Sequence, residues 1–322
     1  MPMKRVHCLG VLVVDALSRP LARYPQPGEV TQVTTDSLQF LPGGGAANSA
    51  SALAQMGLPV KIFSRVGDDP NGAFILERLR ACGADTGGVG VGRGETTPFT
   101  YVGIHPDGDR TFIHTPGANR TFRLADTERR ELLDCDYLLY QDCWCMPGID
   151  GPVGAELLAE ARRRRVVTLL DECWGLGPNR DLWEQMVPHA DYVLPSVDDM
   201  LAIYPGRRPG QIVSLLHDRG ARTVVLKMGR EGCLVSDGTK AVGVPSAADR
   251  IVDTTGAGDC FDAGFVAGLA GGLDDLGAAR MGSLAAAACI RSVGGATGIP
   301  PIETLMQQLR KGFGNRPGNH GG

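Results

Sequence analysis

The sequence predicts an α/β fold in which a doubly wound, mainly parallel sheet carries helices on both faces. Short apolar runs alternate with Ala/Leu-rich windows of helical length along most of the 322 residues. The runs are continuously apolar rather than alternating with polar residues, which is typical of parallel strands covered on both sides. Two further segments break this alternation and predict a small β-sheet beside the main body.

Six apolar runs predict the strands of the main sheet. The first, residues 6–14, follows Lys4 and Arg5 and mimics a short signal peptide. Because Asp15 closes this run and no small-residue cleavage site follows directly, a buried first strand is the better interpretation. The other predicted strands are residues 61–66, 137–140, 166–171, 192–195 and 223–227, and the predicted helices are residues 46–56, 71–82, 153–164, 197–204 and 211–219.

The two segments that break the alternation, residues 29–41 and 96–115, are rich in Val, Thr and Phe and carry no obvious crossover helix. The second contains Pro-Asp-Gly-Asp at residues 106–109, a hairpin signal. We expect strands from about 16–41 and 96–116 to form a small β-sheet lid over the main body. A surface hairpin without a functional role is the alternative.

Two Ala-rich windows near the end of the chain, residues 257–269 and 276–293, predict adjacent helices. Gly264 and Gly268 form a small-residue face on the first, which suits close helix packing. The composition of residues 313–322 predicts a disordered tail, because this segment is too polar and Gly-rich to bury a core. Residues 1–312 are therefore predicted to form a single domain.

Composition and charge exclude several classes of partner. The net charge is −4 and the basic residues are mixed with acidic ones, so the sequence predicts neither nucleic-acid nor membrane-surface binding. Nine cysteines without a CxxC pair indicate a reducing compartment rather than a disulfide framework. Since no apolar stretch approaches the ~20 residues of a membrane helix, we expect a cytoplasmic protein.

The most informative segment is residues 253–259, DTTGAGD, which leads directly into the helix predicted from residue 257. Gly256, Ala257 and Gly258 leave backbone N–H groups exposed at a helix N-terminus, where the partial positive charge favours a phosphate-like anion. Asp259 would repel that anion unless it faces a third group, such as a hydroxyl whose proton it removes. A general base beside an anion hole is the arrangement that phosphoryl transfer requires.

A simpler explanation exists for Asp259. An acidic residue in the first turn of a helix is favourable by itself, by under ~1 kcal/mol, and is common there. Asp262 is a rival carboxylate one turn later. It lies deeper in the predicted helix and farther from the N–H groups, so Asp259 is the stronger candidate for the base.

A second Gly-rich segment, residues 42–48, precedes the first predicted helix. Gly43 and Gly44 allow the backbone to approach a ligand closely, and Asn48 offers both a donor and an acceptor to neighbouring hydroxyls. Asp15, at the predicted end of the first strand, lies where α/β sheets bind ligands and can accept two hydrogen bonds from a diol. A plain strand-to-helix loop and a turn aspartate are the alternatives.

Taken in order, these segments resemble the ribokinase-type (PfkB) carbohydrate kinase family over nearly the whole chain. The most specific is DTTGAGD, because this heptapeptide followed by a helix of small and aromatic residues rarely arises by chance. The resemblance rests on Asp15, Gly43-Gly44 with Asn48, residues 66–72 (VGDDPNG), Lys227-Met228-Gly229 with Gly232, and residues 253–259.

The resemblance implies a ribokinase-like fold and an ATP-dependent kinase that phosphorylates a hydroxyl of a sugar or a sugar acid. It implies Asp259 as general base beside an anion hole formed by Gly256, Ala257 and Gly258. It also implies Mg²⁺, a response to K⁺ near Asp253 in many members, and, in some members, a homodimer formed through the lid. The implied substrate-binding residues are Asp15, Gly43, Gly44 and Asn48, and the implied ATP-binding residues are Ser196, Lys227, Gly229, Gly232, Gly256 and Gly258.

The sequence departs from the family pattern at two places. Family members often carry Asn-x-x-Glu, tied to Mg²⁺ and phosphate, where this chain has Ser196 and Asp199. Asp199 is retained as a Mg²⁺ residue acting through water. Ribokinases proper carry GGKGAN, where this chain has Gly45 and Ala46 in place of the Lys and the third Gly, which argues against ribose itself.

Two alternative functions stay open. A nucleoside kinase on the same scaffold would need aromatic side chains near the lid, which Phe99, Tyr101 and Phe112 are placed to supply. A nucleotide-binding regulator with little catalysis is suggested by Ser196 and Asp199.

Overall fold

The computed structural model describes residues 3–33, 38–106, 110–173 and 177–312, and its largest feature in these ranges is a nine-stranded sheet. Seven strands are parallel, and the last two, β12 and β13, run antiparallel at one edge. The spatial order is β13-β12-β11-β10-β9-β8-β1-β4-β5. The strands are β1 (Val6–Leu9), β4 (Val60–Gly67), β5 (Asp85–Gly92), β8 (Tyr137–Cys143), β9 (Val167–Glu172), β10 (Tyr192–Val193), β11 (Thr223–Lys227), β12 (Cys233–Ser236) and β13 (Ala241–Val244).

Helices cover both faces of this sheet and bury two separate cores. Successive side chains of a strand point to opposite faces of the sheet, so Val6 and Cys8 of β1 lie in one core and Leu9 lies in the other. The first core packs against α1 (Gly45–Gln55), α2 (Pro70–Ala81), α8 (Ala257–Ala270), α9 (Asp275–Cys289) and α10 (Ile302–Arg310). The second packs against α3 (Asp126–Leu132), α4 (Pro152–Arg163), α5 (Arg180–Met186), α6 (Val197–Ile203) and α7 (Pro209–Asp218). The predicted doubly wound architecture is confirmed.

Helix starts are set by short polar side chains. Asp69 accepts a hydrogen bond from the Gly72 N–H at 2.8 Å, and Pro70 occupies the first turn of α2. Asp274 caps α9 in the same way through the Gly277 N–H, also at 2.8 Å. The VGDDPNG segment therefore has a structural function as the start of α2.

The predicted small sheet is present and has four strands, in the order β3-β2-β6-β7. The hairpin of β6 and β7 is antiparallel as expected, although residues 107–109 of its predicted turn, 106–109, lie outside the described residues. The strands are β2 (Val13–Ser18), β3 (Gln39–Gly43), β6 (Phe99–Ile104) and β7 (Arg110–Thr115).

Three predictions about the N-terminal part of the chain are wrong. The apolar run 6–14 is not one strand, because the chain leaves the main sheet after Leu9 and joins the small sheet at Val13. Asp15 therefore lies inside β2, paired with Leu41 and Thr100, and not at the carboxyl end of a main-sheet strand. Residues 29–33 are not in a strand, and residues 34–37 and the predicted tail 313–322 lie outside the described residues.

The predicted close contact of the last long helices is confirmed for α8 and α9. A Cβ on Gly264 would lie 2.7 Å from the Ala285 Cβ, and one on Gly268 would lie 2.8 Å from the Ala278 Cα. Both distances are too short for real side chains, so the two glycines let the helices approach. In the portion of the chain that the structure describes, no helix is long and apolar enough to cross a membrane.

Candidate active site

A cavity of about 550 Å³ lies where the small sheet faces the carboxyl ends of the main-sheet strands. Residues of β2 and β6 line one side, and the N-terminus of α8 lines another. The carboxyl ends of β8, β9 and β11 contribute Asp142, Asp171 and Lys227 to the lining. This is the edge at which open α/β sheets bind their ligands.

Asp259 projects into this cavity from the first turn of α8. The Asn48 Nδ2 donates a hydrogen bond to the Asp259 Oδ2 at 2.7 Å, and the Gln141 Nε2 lies 3.5 Å from the Oδ1. Ser49 fixes the backbone of the same residue, because its Oγ donates to the Asp259 carbonyl oxygen at 2.8 Å. Burial raises the pKa of Asp259, and the hydrogen bond from Asn48 acts in the opposite direction.

The backbone around Gly256 and Gly258 is shaped for close approach. Gly256 is the N-cap of α8 with φ +73°, and a Cβ there would lie 2.8 Å from the Gly295 Cα. The first intrahelical bond runs from the Cys260 N–H to the Gly256 carbonyl, so the N–H groups of Gly258 and Asp259 precede the helical ladder. A Cβ built on Gly258 would meet only the Lys227 Nζ, at 3.6 Å, among the described residues. The N–H groups of Gly258 and Asp259 suit an anion, whereas the Ala257 N–H, which was predicted to be part of the anion hole, donates to the Thr254 carbonyl oxygen at 3.2 Å.

Asp262, the rival candidate for the base, forms a buried ion pair with Lys227 and does not line the cavity. It is fully buried, and the Lys227 Nζ lies 3.2 Å from both of its carboxylate oxygens and 2.7 Å from the Asp171 Oδ2. Burial alone would lower the pKa of Lys227, but the charges of Asp171 and Asp262 outweigh it, so the pKa is raised and the lysine is charged. Of the two carboxylates, Asp259 is the one that lines the cavity.

The glycines of residues 42–48 are explained by close contacts. Gly44 has φ +90°, and a Cβ there would lie 2.3 Å from the Val11 carbonyl oxygen. A Cβ on Gly43 would lie 2.1 Å from the Asp15 Oδ2, so this glycine makes room for the Asp15 carboxylate. Burial raises the pKa of Asp15 to about 7, against the effect of a hydrogen bond with Thr100. Asp15 and Asn48 line the same cavity.

The predicted ATP-binding residues divide into two groups. Ser196, Lys227 and Gly229 line the cavity together with Gly256 and Gly258. Gly232 lies outside this lining, between β11 and β12, and a Cβ there would lie 2.0 Å from the Val244 carbonyl oxygen. A packing contact therefore accounts for the glycine at this position.

The two residues proposed to bind cations are tied to their neighbours. The Ser196 Oγ lies 2.5 Å from the Asp199 Oδ2 and caps α6 by accepting from the Asp199 N–H. Burial raises the pKa of Asp199. The Asp253 carboxylate accepts hydrogen bonds from Thr255 and, at 3.0 Å, from the Gly294 N–H. In the ranges described, no group of three or more His, Cys, Asp or Glu side chains is arranged to hold a metal ion.

Sequence reasoning missed many residues of the cavity, among them the polar residues Asp171, Asn119 and Asp142. Asp171 closes the predicted strand 166–171, so the rule that selected Asp15 also applied to it. Asn119, in a short helical turn after β7, and Asp142, at the end of β8, gave no comparable signal. Asp142 has φ +58° and binds backbone groups far away along the chain, neither of which a sequence pattern shows.

Comparison with known proteins gives a consistent result. The model of the "pfkB family carbohydrate kinase" matches residues 3–302. Ribokinase of Bacillus subtilis is 29% identical, over 95% of this chain and 100% of its own. The ATP-dependent 6-phosphofructokinase of Thermoanaerobacterium thermosaccharolyticum is 27% identical, over 95% of this chain and 94% of its own.

Solved structures show the same fold. Arabidopsis thaliana ribokinase, solved with ribose and ATP, has a TM-score of 0.84 at 24% identity and is matched over 99% of its length and 96% of this chain. The nucleoside kinase of Methanocaldococcus jannaschii, an archaeal ribokinase-family member, has a TM-score of 0.74 at 18% identity over 99% of its length and 96% of this chain.

Proposed function

Because this chain belongs to the pfkB family of carbohydrate kinases, and is a phosphotransferase of that class, we propose that it transfers the γ-phosphoryl group of ATP to a hydroxyl of a sugar or a sugar acid. One observation carries the proposal. The Asp259 carboxylate lies in the first turn of α8, beside backbone N–H groups that precede the helical ladder, and faces the same cavity as Asp15 and Asn48.

Asp15 and Asn48 bind the acceptor in this proposal. A carboxylate accepts hydrogen bonds from two hydroxyls, and the Asn48 amide, already bonded to Asp259 through its nitrogen, has a carbonyl oxygen that accepts another. Gly43 and Gly44 contribute by having no side chain. A Cβ on Gly43 would collide with Asp15, and a Cβ on Gly44 would collide with Val11. The acceptor hydroxyl is thereby held next to Asp259.

Asp259 takes the proton of the acceptor hydroxyl as the hydroxyl oxygen attacks the γ-phosphorus, and the bond from that phosphorus to the bridging oxygen breaks to release ADP. A raised pKa makes this carboxylate a better base than an exposed aspartate, provided that it is still ionised at the working pH. The N–H groups of Gly256 and Gly258 stabilise the negative charge that spreads over the transferring phosphoryl oxygens, whereas the Ala257 N–H already donates to the Thr254 carbonyl oxygen. Proton removal and charge stabilisation are thus supplied by one turn of α8.

ATP is assigned to the opposite side of the cavity. Ser196 and Gly229 border it there, and Lys227 stands close to the helix N-terminus. The donor set also fits Mg²⁺: the Asp171 Oδ1 is buried without a hydrogen-bond partner, and Asp199 provides a second carboxylate in the lining. Mg²⁺ bound there would neutralise charge on the phosphate oxygens. The K⁺ response near Asp253 stays a prediction.

The nucleoside kinase alternative receives less support. Of its three aromatic residues, Phe112 lines the cavity, whereas Phe99 packs against the first core and Tyr101 does not line the cavity. A homodimer through the lid also stays a proposal, supported by the exposure of Phe40 and Ile113 on the outer strands β3 and β7.

The experiment is a measurement of ADP release from ATP with Mg²⁺ on a named panel of acceptors: D-ribose, D-fructose, D-gluconate, 2-keto-3-deoxy-D-gluconate, adenosine and inosine. We expect turnover on a sugar or a sugar acid. Turnover confined to adenosine or inosine would replace the proposal with a nucleoside kinase. ATP binding without transfer to any acceptor would favour a regulator.

A further inference from the structure

Asp142 is a buried carboxylate for which the proposed reaction has no use. It is 2% exposed and is the last residue but one of β8, where it lines the cavity. Its Oδ2 accepts a hydrogen bond from the Val11 N–H at 2.7 Å, and its Oδ1 accepts one from the Gly45 N–H at 3.1 Å. Each oxygen thus holds a different segment of the chain.

The backbone at Asp142 is unusual for a strand residue. Its φ is +58°, in the left-handed region that side chains other than glycine seldom occupy, and the pairing of β8 with β9 shifts register between Tyr140 and Cys143. Burial also raises the pKa of Asp142 to about 7, and the charge of Asp259 adds to the rise. The left-handed backbone and the buried carboxylate therefore both cost free energy at this one position. Such unfavourable features are concentrated at functional sites.

The Asp142 carboxylate occupies space that is open only because two neighbouring residues are glycines. A Cβ on Gly10 would lie 2.6 Å from the Asp142 Oδ2, and a Cβ on Gly45 would lie 2.8 Å from both carboxylate oxygens. Both distances are shorter than real Cβ atoms allow. Gly45 and Asp142 are therefore a matched pair: a larger residue at position 45 would displace the carboxylate.

The two segments that Asp142 holds are those that carry the acceptor-binding residues. Val11 leads into β2, which contains Asp15 four residues later. Gly45 is the first residue of α1, which presents Asn48 one turn later, and Asn48 is bonded to Asp259. A single carboxylate therefore fixes the small sheet and α1 relative to each other on the acceptor side.

We propose that Asp142 is a positioning residue of the acceptor site, which sets the separation of Asp15 and Asn48 by binding the N–H groups of Val11 and Gly45. This inference rests on the proposed function. It requires both carboxylate oxygens, because both accept a backbone N–H.

The test is the steady-state kinetics of Asp142→Asn on the acceptor of the panel that the wild-type enzyme turns over fastest. Asparagine has the same shape but one acceptor oxygen, so its NH₂ group would face either the Val11 or the Gly45 N–H. We expect the KM for the acceptor to rise at least ~10-fold, as for loss of a buried hydrogen bond, while the KM for ATP is unchanged. A residue needed only for folding would not separate the two KM values.

Asp150→Asn is the matched control. Asp150 is 3% exposed, accepts hydrogen bonds from the Met146 N–H and the Tyr140 hydroxyl, and has a pKa raised to about 7 by burial, but it does not line the cavity. We expect both of its KM values to stay at the wild-type level. Gly45→Ala is a second variant, which displaces the carboxylate without altering it and should reproduce the acceptor KM of Asp142→Asn.

The outcomes separate this inference from the proposed function. An active wild-type enzyme whose Asp142→Asn and Gly45→Ala variants keep the acceptor KM of Asp150→Asn would overturn the positioning role alone. A wild-type enzyme that phosphorylates no acceptor of the panel would overturn the proposed function and this role with it. A selective rise of the acceptor KM in Asp142→Asn and Gly45→Ala supports both.

Discussion

The side chain of Asp259 experiences two opposing influences on its pKa. Burial disfavours the charged carboxylate, and the hydrogen bond from the Asn48 amide favours it. Burial is the larger effect, so the pKa is raised above its usual value. A base must be ionised to accept a proton, so activity should be lost as the pH falls through this pKa.

Asn48→Ala should move that loss of activity to higher pH. Removing a hydrogen bond to the charged form raises the pKa of Asp259 further, so a larger fraction of the enzyme is protonated at any given pH below it. The measurement is the pH dependence of kcat at saturating acceptor for wild type and variant. If kcat of the variant falls at the same acidic pH as kcat of wild type, Asn48 does not interact with the ionised carboxylate of Asp259.

Lys227→Met should destabilise the fold strongly. The lysine is the cation between Asp171 and Asp262, and its loss leaves two buried carboxylates uncompensated. We expect a loss of ~3–5 kcal/mol in the free energy of unfolding, measured by chemical denaturation. Lys4→Met is the control, since the Lys4–Asp136 pair is on the surface, where solvent screens it, and its loss should barely change the free energy of unfolding. Equal losses would contradict a structural role for Lys227.

At the level of secondary structure, the sequence predicted most elements and failed where the chain changes sheets. Residues 223–227 are a strand as predicted, because turn signals bound that apolar run. The run 6–14 is apolar throughout, although it crosses from one sheet to the other, and hydrophobicity carries no mark of the crossing. Asp142 was missed for a related reason: its partners lie 131 and 97 residues away along the chain.

The packing of α8 on α9 gives a prediction for Gly264→Ala. The added methyl would lie 2.7 Å from the Ala285 Cβ, so the helices must separate, and we expect a loss of ~1–3 kcal/mol in unfolding free energy despite alanine's higher helix propensity. Gly210→Ala in α7 is the control, because a methyl there meets no described atom within 4 Å. It should be neutral or stabilising by up to ~1 kcal/mol. The opposite order of stabilities would contradict the packing argument.

For the whole molecule, several buried carboxyls make stability depend on pH. The pKa values of Asp15, Asp142 and Asp150 are raised from 3.8 to about 7 by burial. Between these values the folded state binds more protons than the unfolded state, so each group's contribution to stability is full below pH 3.8 and is lost as the pH rises through about 7.

Asp150→Asn should therefore make the protein's stability less sensitive to pH. The variant removes one of the three titrating groups without touching the cavity. The measurement is the free energy of unfolding at pH ~5 and pH ~8, on either side of the raised pKa. We expect the decrease in stability from the lower to the higher pH to be smaller in the variant, and a decrease equal to that of wild type would show that Asp150 does not titrate in this range.

The whole fold serves to bring distant residues to one cavity. Asp15 and Thr100 come from the small sheet, Asp171 and Lys227 from the main sheet, and Asp259 from α8. The DTTGAGD motif is local in sequence, so it was predictable, whereas the surroundings of Asp259 depend on contacts made after the sheets assemble. The central claim is that the carboxylate of this residue is the base for phosphoryl transfer.

The most direct test is the turnover of Asp259→Asn, with ADP release measured on the acceptor that the wild-type enzyme phosphorylates and ATP binding measured in parallel. Asparagine keeps the shape of the side chain but cannot take a proton from the hydroxyl. We expect kcat to fall at least ~10²-fold while ATP still binds. Unchanged turnover in a variant that binds ATP would contradict the assignment of Asp259 as the base.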